Sequence, residues 1–271
     1  MAEVTERVPD GVTLVRGTNA GPMTLSGTNT WLVGTPAWVI DPGPDEPAHV
    51  ERVWEAAQAR GGIAGIVLTH NHLDHSASAP ELRERAGVPL AAGAATASGP
   101  GGFEEPALPD LEPDVVLHDG DAVGPLRAIA TPGHSADHVS LLAGEVLFCG
   151  DTVLGEGSVF IPPGGGSLAA YLDSLRRLSE LPLEALCPGH GPVVWDPAAK
   201  LREYLEHRLE RERRLVNALA RGLRSTAELL DDVWDDAPMA LRPAAALTLE
   251  SHLDKLEQEG RLPGDVERLG L

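Results

Sequence analysis

The chain has 271 residues, with 21 Lys and Arg against 41 Asp and Glu, a formal net charge of −20 at pH 7. With 42% apolar and 23% charged residues it falls in the globular range, which excludes disordered and collagen-like chains, and its length suits one large domain plus a small second one. The acidity argues against tight nonspecific binding to nucleic-acid backbones or anionic lipid, both of which depend on Lys and Arg. No run approaches 18 uninterrupted apolar residues, and the segment from Met1 to Glu6 lacks the basic and apolar regions of a secretion signal, so a cytoplasmic location without membrane contact is expected. The two cysteines, Cys149 and Cys187, have no Cys-x-x-Cys spacing and read as reduced, buried thiols.

In chain order, β-rich runs punctuated by Gly and Pro predict strands at Val12 to Val15, Thr30 to Val33, Trp38 to Ile40, Ile63 to Leu68, Leu126 to Ala130, Val139 to Leu142 and Val146 to Cys149. Pro47 opens a helix whose Val50, Val53, Trp54 and Ala57 share one face and which stops at Gly61. Ser78 and Glu81 have capping-box spacing around Pro80, predicting a short helix through Glu84 before Gly87. A third helix carries Leu168, Tyr171, Leu172, Leu175 and Leu178 on one face. Residues 93–114 and 155–166, rich in Gly, Pro and Glu, read as long loops. Asp196 and Pro197 cap a long helix to about Arg221; Ser225 and Glu228 form another capping box; Leu241 to Leu256 is helical, and Gly260 to Leu269 reads as a small hairpin, together a winged-helix pattern. The domain organisation expected is 1–195, a connecting helix 196–221, and 222–271.

The strand ending at Leu68 runs into Thr69-His70-Asn71-His72-Leu73-Asp74-His75, three imidazoles and a carboxylate within six residues. In extended backbone His70 and His72 reach the same side, while Asp74 and His75, where the chain turns, face a second point, so one segment can serve two metal ions. Three further strand ends deliver His134, Asp151 and His190. Neutral imidazole and carboxylate suit Zn²⁺, with Mn²⁺ or Fe²⁺ as alternatives.

This pattern resembles the metallo-β-lactamase fold hydrolases, and more narrowly the beta-lactamase-like protein 2 group, through Gly27-Thr28-Asn29-Thr30-Trp31-Leu32-Val33-Gly34, Asp41-Pro42-Gly43, the segment from Thr131 to His138, and the C-terminal winged helix. The resemblance implies an α/β four-layer αββα sandwich, and two Zn²⁺ per chain with His70, His72 and His134 on the first metal, Asp74, His75 and His190 on the second, and Asp151 bridging. It further implies that Asp41 orients a ligand, that Asn29 and Thr30 contact substrate, and that a metal-bridging hydroxide attacks a phosphoryl or acyl centre. Asp74 and His138 are the candidate catalytic residues, His138 as proton donor to the leaving group.

Members of that group include single-strand-specific endoribonucleases, and similar sequences are thioesterases. Single-stranded RNA is therefore the first expected substrate, with acyl-CoA, acyl-carrier or glutathione thioesters second and a metal-responsive DNA-binding regulator third. From Lys200 to Arg221 there are seven cations against four anions, which could guide RNA or simply lace a helix with ion pairs; from Gly222 onward there are five against eleven, which disfavours DNA binding and suits packing, a cleft wall or a homodimer contact. His49, His118, His207 and His252 lie outside the ligand segments and read as surface or helix-face residues.

Overall fold

Successive side chains of a strand face opposite ways, so an apolar strand needs a layer on each side. The computed structural model describes residues 6–94, 107–108 and 112–269. Strands β1 (Val12–Arg16), β2 (Asn29–Val33), β3 (Ala37–Ile40), β4 (Ile63–Val67), β5 (Leu90–Gly93) and β6 (Val115–Leu117) form one sheet in chain order, antiparallel as far as β3 and parallel from there on. Trp31, Val33, Ile40 and Val67 turn into a core shared with Val139, Leu141, Phe148 and Cys187. Leu32, Val39, Ile66 and Leu68 turn the other way, onto Val50, Val53 and Ala57 of α1 (Pro47–Gln58); a four-residue turn of helix, α2 (Leu73–Ser76), then leads to α3 (Ala79–Ala86), which adds Ala79 and Leu82.

The second sheet runs β11 (Ala185–Pro188), β10 (Val146–Gly150), β9 (Val139–Ala143), β8 (Leu126–Ala130), β7 (Ala122–Val123), with only β10 and β11 parallel. Its outer residues Ile129, Leu147 and Leu186 lie under α4 (Leu168–Ser179) and α5 (Pro197–Ala220). The result is the expected helix, sheet, sheet, helix layering. Asp196 caps α5 by accepting the Ala199 amide, with Pro197 in the first turn. The outer end of α5 contributes Leu215, Ala218 and Leu219 to a second core with α6 (Thr226–Val233) and α7 (Arg242–Gln258). Both halves of the Ser225–Glu228 capping box form. Among the described residues no helix is long and apolar enough to cross a membrane.

Three expectations fail for identifiable reasons. Ser78 and Glu81 make no capping box: α2 brings the chain into Ser78 already in helical conformation, and the Ser78 hydroxyl donates to Pro44 O instead. The C-terminal hairpin does not form among the described residues, because the chain after α7 is tied elsewhere. Glu267 N donates to Arg224 O, Thr226 N to the Glu267 carboxylate, and Arg268 pairs with Glu250, Asp254 and Glu257. Strands β5, β6 and β7, absent from the sequence reading, extend the sheet edges. Of the two expected loops, residues 155–166 hold no helix or strand, while 95–106 and 109–111 lie outside the described residues.

Candidate metal centre

The ligand candidates occupy the loops leaving β4, β8, β10 and β11. Val139 N donates to Thr69 O (2.8 Å) and Asn29 N to Gly189 O (2.7 Å), which ties strands of the two sheets to the ligand loops. His72 Nδ1 stands 3.0 Å from both His70 Nε2 and His134 Nε2. His190 Nε2 is 3.1 Å from Asp74 Oδ2, 3.3 Å from His75 Nε2 and 3.4 Å from Asp151 Oδ2. Three overlapping triads result: His70, His72 and His134; His70, His75 and Asp151; Asp74, His75 and His190. The seven residues read from the sequence are thus brought together.

The outer ring nitrogens are held by oxygens, leaving the inner ones to face the cluster. His70 Nδ1 lies 3.0 Å from Thr69 Oγ1, His75 Nδ1 3.0 Å from Asp41 Oδ2, His134 Nδ1 2.8 Å from Phe160 O and His190 Nδ1 3.5 Å from Gly27 O. An N–H donated outward leaves a lone pair pointing inward, the state a metal ligand needs. Asp151 Oδ1 is buried without a hydrogen-bond partner, 3.5 Å from His75 Nε2. Burial, reinforced by neighbouring imidazoles, holds His70 far below the usual histidine range and His72 at about 3, so both are neutral. On the other side burial resists charge on His75 and His190, yet the carboxylates outweigh it, raising His75 strongly and His190 to about 9. Burial likewise opposes ionisation of Asp74, but His75 and His190 hold it at about 2, while His190 and His75 keep Asp151 ionised. A buried carboxylate-rich pocket drawing protons onto its imidazoles is short of positive charge. With the neutral imidazoles of His70 and His72 beside it, the donor set fits divalent metal ions.

Asp41 holds a left-handed backbone (φ 48°), tolerated by an Asp because its short side chain is satisfied locally. Its carboxylate accepts Thr69 N at 2.7 Å and Thr69 Oγ1 at 2.8 Å and meets His75, the orienting role implied by resemblance. Asp41→Asn should lower metal affinity ~10–100-fold while keeping the fold, as measured by titration against a competing chelator; unchanged affinity would remove Asp41 from this role.

Other candidates sit differently. His138 is sealed behind the cluster, stacked on His70 at 5.1 Å; its Nε2 accepts Asp151 N (3.2 Å) and its Nδ1 lies 2.9 Å from Thr131 Oγ1. It positions Asp151 and faces no substrate, so the proton-donor expectation is corrected. Asn29 and Thr30 are also fully buried. Asn29 donates to Pro188 O and Gly191 O, bracing the His190 loop, and Thr30 donates to Asp41 O, so neither is free for substrate. His49, expected on a surface or helix face, is buried against Pro42 O, and His252 is buried in the C-terminal core. Thr69 was missed as a positioning group, and Asp137 makes a supporting hydrogen bond: it accepts Asn71 N and so fixes the backbone between His70 and His72.

A cavity of about 690 Å³ opens off the cluster at Asp74, His134, Asp151 and His190. Its wall is mainly apolar: Met23, Leu25, Leu154, Val159 and Phe160 on one side, Trp234, Leu241, Ala244 and Ala245 of the C-terminal unit on the other. The cations of α5 and its C-cap are largely engaged: Lys200, Arg211, Arg213, Arg214 and the capping Arg221 pair with Glu203, Asp236, Glu210, Asp235 and Asp232.

Residues 23–190 match the metallo-beta-lactamase superfamily, and residues 225–263 the beta-lactamase associated winged helix domain. A beta-lactamase-like protein 2 homolog of Caenorhabditis elegans is 35% identical over 95% of this chain and 88% of its own. An atrochrysone carboxyl ACP thioesterase of Aspergillus fumigatus is 34% identical over 84% of this chain and 74% of its own. A beta-lactamase domain protein from Burkholderia ambifaria shares the fold, with a TM-score of 0.75 at 23% identity, over 94% of this chain and 88% of that one. The chain therefore belongs to the metallo-β-lactamase superfamily of hydrolases, with a C-terminal β-lactamase-associated winged helix.

Proposed function

We propose that the chain hydrolyses thioesters of apolar acyl groups, using two zinc ions held by the seven clustered residues. The observation that carries this reading is the apolar cavity that begins at the ligand cluster and ends against the winged-helix unit. Metal ions bound there supply a water of lowered pKa and charge to stabilise the developing oxyanion. Leu154, Val159 and Phe160 keep bulk water from the acyl chain. Asp74, ionised and lining the cavity, accepts a proton from the attacking water as the C–O bond forms and the C–S bond breaks.

The chemistry of the leaving group points the same way. A thiolate, with a parent pKa of about 8.5, departs near neutrality without a proton donor, whereas the alkoxide of a phosphodiester needs one. With His138 sealed away, the thioester is the easier substrate. The pairing of the α5 cations likewise weakens the RNA reading, and the named activity of the Aspergillus relative supports thioester cleavage.

The test is metal content of protein purified without chelator, followed in the same samples by turnover of an octanoyl thioester and of a single-stranded oligoribonucleotide. Two metals per chain with thioester turnover is the expected result. RNA cleavage with the thioester left intact would overturn it.

A further inference from the structure

Among the described residues few buried side-chain polar atoms lack a hydrogen-bond partner, and away from the ligand cluster Arg208 Nε and both ring nitrogens of His252 are among them. Arg208 is 2% exposed and lines the cavity. Its other contacts are neutral: Nη2 donates to Ser158 Oγ (3.2 Å) and to Val159 O, and the guanidinium lies 5.6 Å from the Tyr171 ring centre. No carboxylate pairs with it among the described residues, in contrast to Arg211, which grips Asp236 with two hydrogen bonds. His252 supplies no counter-charge. Burial and the positive charge of Arg208 keep it far below the usual histidine range and therefore neutral.

A guanidinium taken out of water is costly unless an anion compensates it, and neutral carbonyls satisfy its hydrogen bonds without neutralising its charge. Val159, which binds Arg208, precedes Phe160, whose carbonyl holds His134, so the unpaired cation and the ligand cluster share one loop. We propose that Arg208 receives a carboxylate of the substrate, seated in the cavity at a point separate from the metal ligands. The substrate class is then an apolar acyl thioester that also bears a carboxylate. This adds a charge to the substrate proposed above, and rests on that reading only for the reaction that follows binding.

The test reads binding, so it stands apart from turnover. The probes are octanoate and its uncharged amide, followed by tryptophan fluorescence, since Trp234 lines the same cavity. Octanoate is expected to bind more tightly than octanamide. Its binding should survive His72→Ala, weaken at least ~10-fold in Arg208→Gln, as expected for lost charge-assisted hydrogen bonds, and recover in part with Arg208→Lys. Equal binding of the two probes overturns the proposal, and so does octanoate binding that vanishes with His72→Ala but ignores Arg208→Gln, because the carboxylate then sits on the ligand cluster. If Arg208→Gln fails to fold, Arg208→Lys decides: affinity equal to that of the unchanged protein overturns the site. Octanoate bound at Arg208 without any thioester turnover would sink only the proposed reaction.

Turnover then locates the carboxylate within the substrate. A chain-end carboxylate on an acyl group carried by a neutral thiol, compared with a plain acyl group carried by a carboxylate-bearing thiol, shows which partner brings it. Faster turnover of the first assigns it to the acyl chain and of the second to the leaving group. No advantage for either over the uncharged thioester counts against Arg208 as a substrate contact.

Discussion

His72→Ala is expected to cut turnover by at least ~10³-fold, about 4 kcal/mol of barrier, and to lower the metal content of the purified protein. His72 Nδ1 is 3.0 Å from two other ligand nitrogens, so its loss opens the all-histidine triad. The fold should persist, because His72 lies in the loop before α2, between the two sheets' ends rather than in either core. Melting of the metal-free variant and of the metal-free parent at similar temperatures, with metal content halved or less, would bear this out. Undiminished turnover with one metal per chain would remove the two-metal mechanism.

Gly189→Ala should also cut turnover, by ~100-fold, from a residue outside the candidate donor set. A methyl group there would stand 2.4 Å from Asp151 Oδ1 and 2.5 Å from His75 Cε1, closer than non-bonded atoms sit. Two ligands must shift, or the loop from β11 to His190 must, and a ~1 Å displacement of a reacting group suffices for a ~100-fold loss. Overpacking of this kind costs ~1–3 kcal/mol of stability as well. Metal affinity, turnover and melting temperature should therefore fall together. A variant with native metal affinity would show that the loop yields freely, and that Gly189 is not what sets the spacing of Asp151 and His75.

The cluster of donors could be read from the chain because metal binding demands particular donor atoms, and His70, His72, Asp74 and His75 crowd them into one strand end. Beyond Asp41, whose place the resemblance implied, what surrounds them could not. His138 follows His134 by four residues, but only the pairing of Thr131 N with His138 O and the packing against His70 turn its ring inward. Asn29 and Thr30 have side chains suited to substrate contact, yet the same groups brace loops that are distant in sequence, as the bond from Asn29 to Gly191 shows. Strand β5, Leu-Ala-Ala-Gly, lacks the β-branched and aromatic residues that mark a strand and owes its state to pairing with β4 and β6. Ser225 and Glu228 capped a helix as expected because no element precedes them closely; Ser78 did not, because α2 does. The cavity is built from the loop after β10 and the face of α7, some ninety residues apart, and no local pattern announces such a meeting.

Helix α5 has a further consequence. It is a single run of 24 residues, roughly 36 Å long, whose Leu201 and Tyr204 belong to the sandwich and whose Leu215 and Leu219 belong to the winged-helix core. It works as a ruler with a phase. One residue added between those pairs would swing everything beyond it by ~100° and carry Trp234 and Ala245 away from the mouth of the ligand cluster. Side chains on α7 and on the loop after β10 can change to suit another occupant of the cavity, but the length of α5 between its two cores is not free to drift.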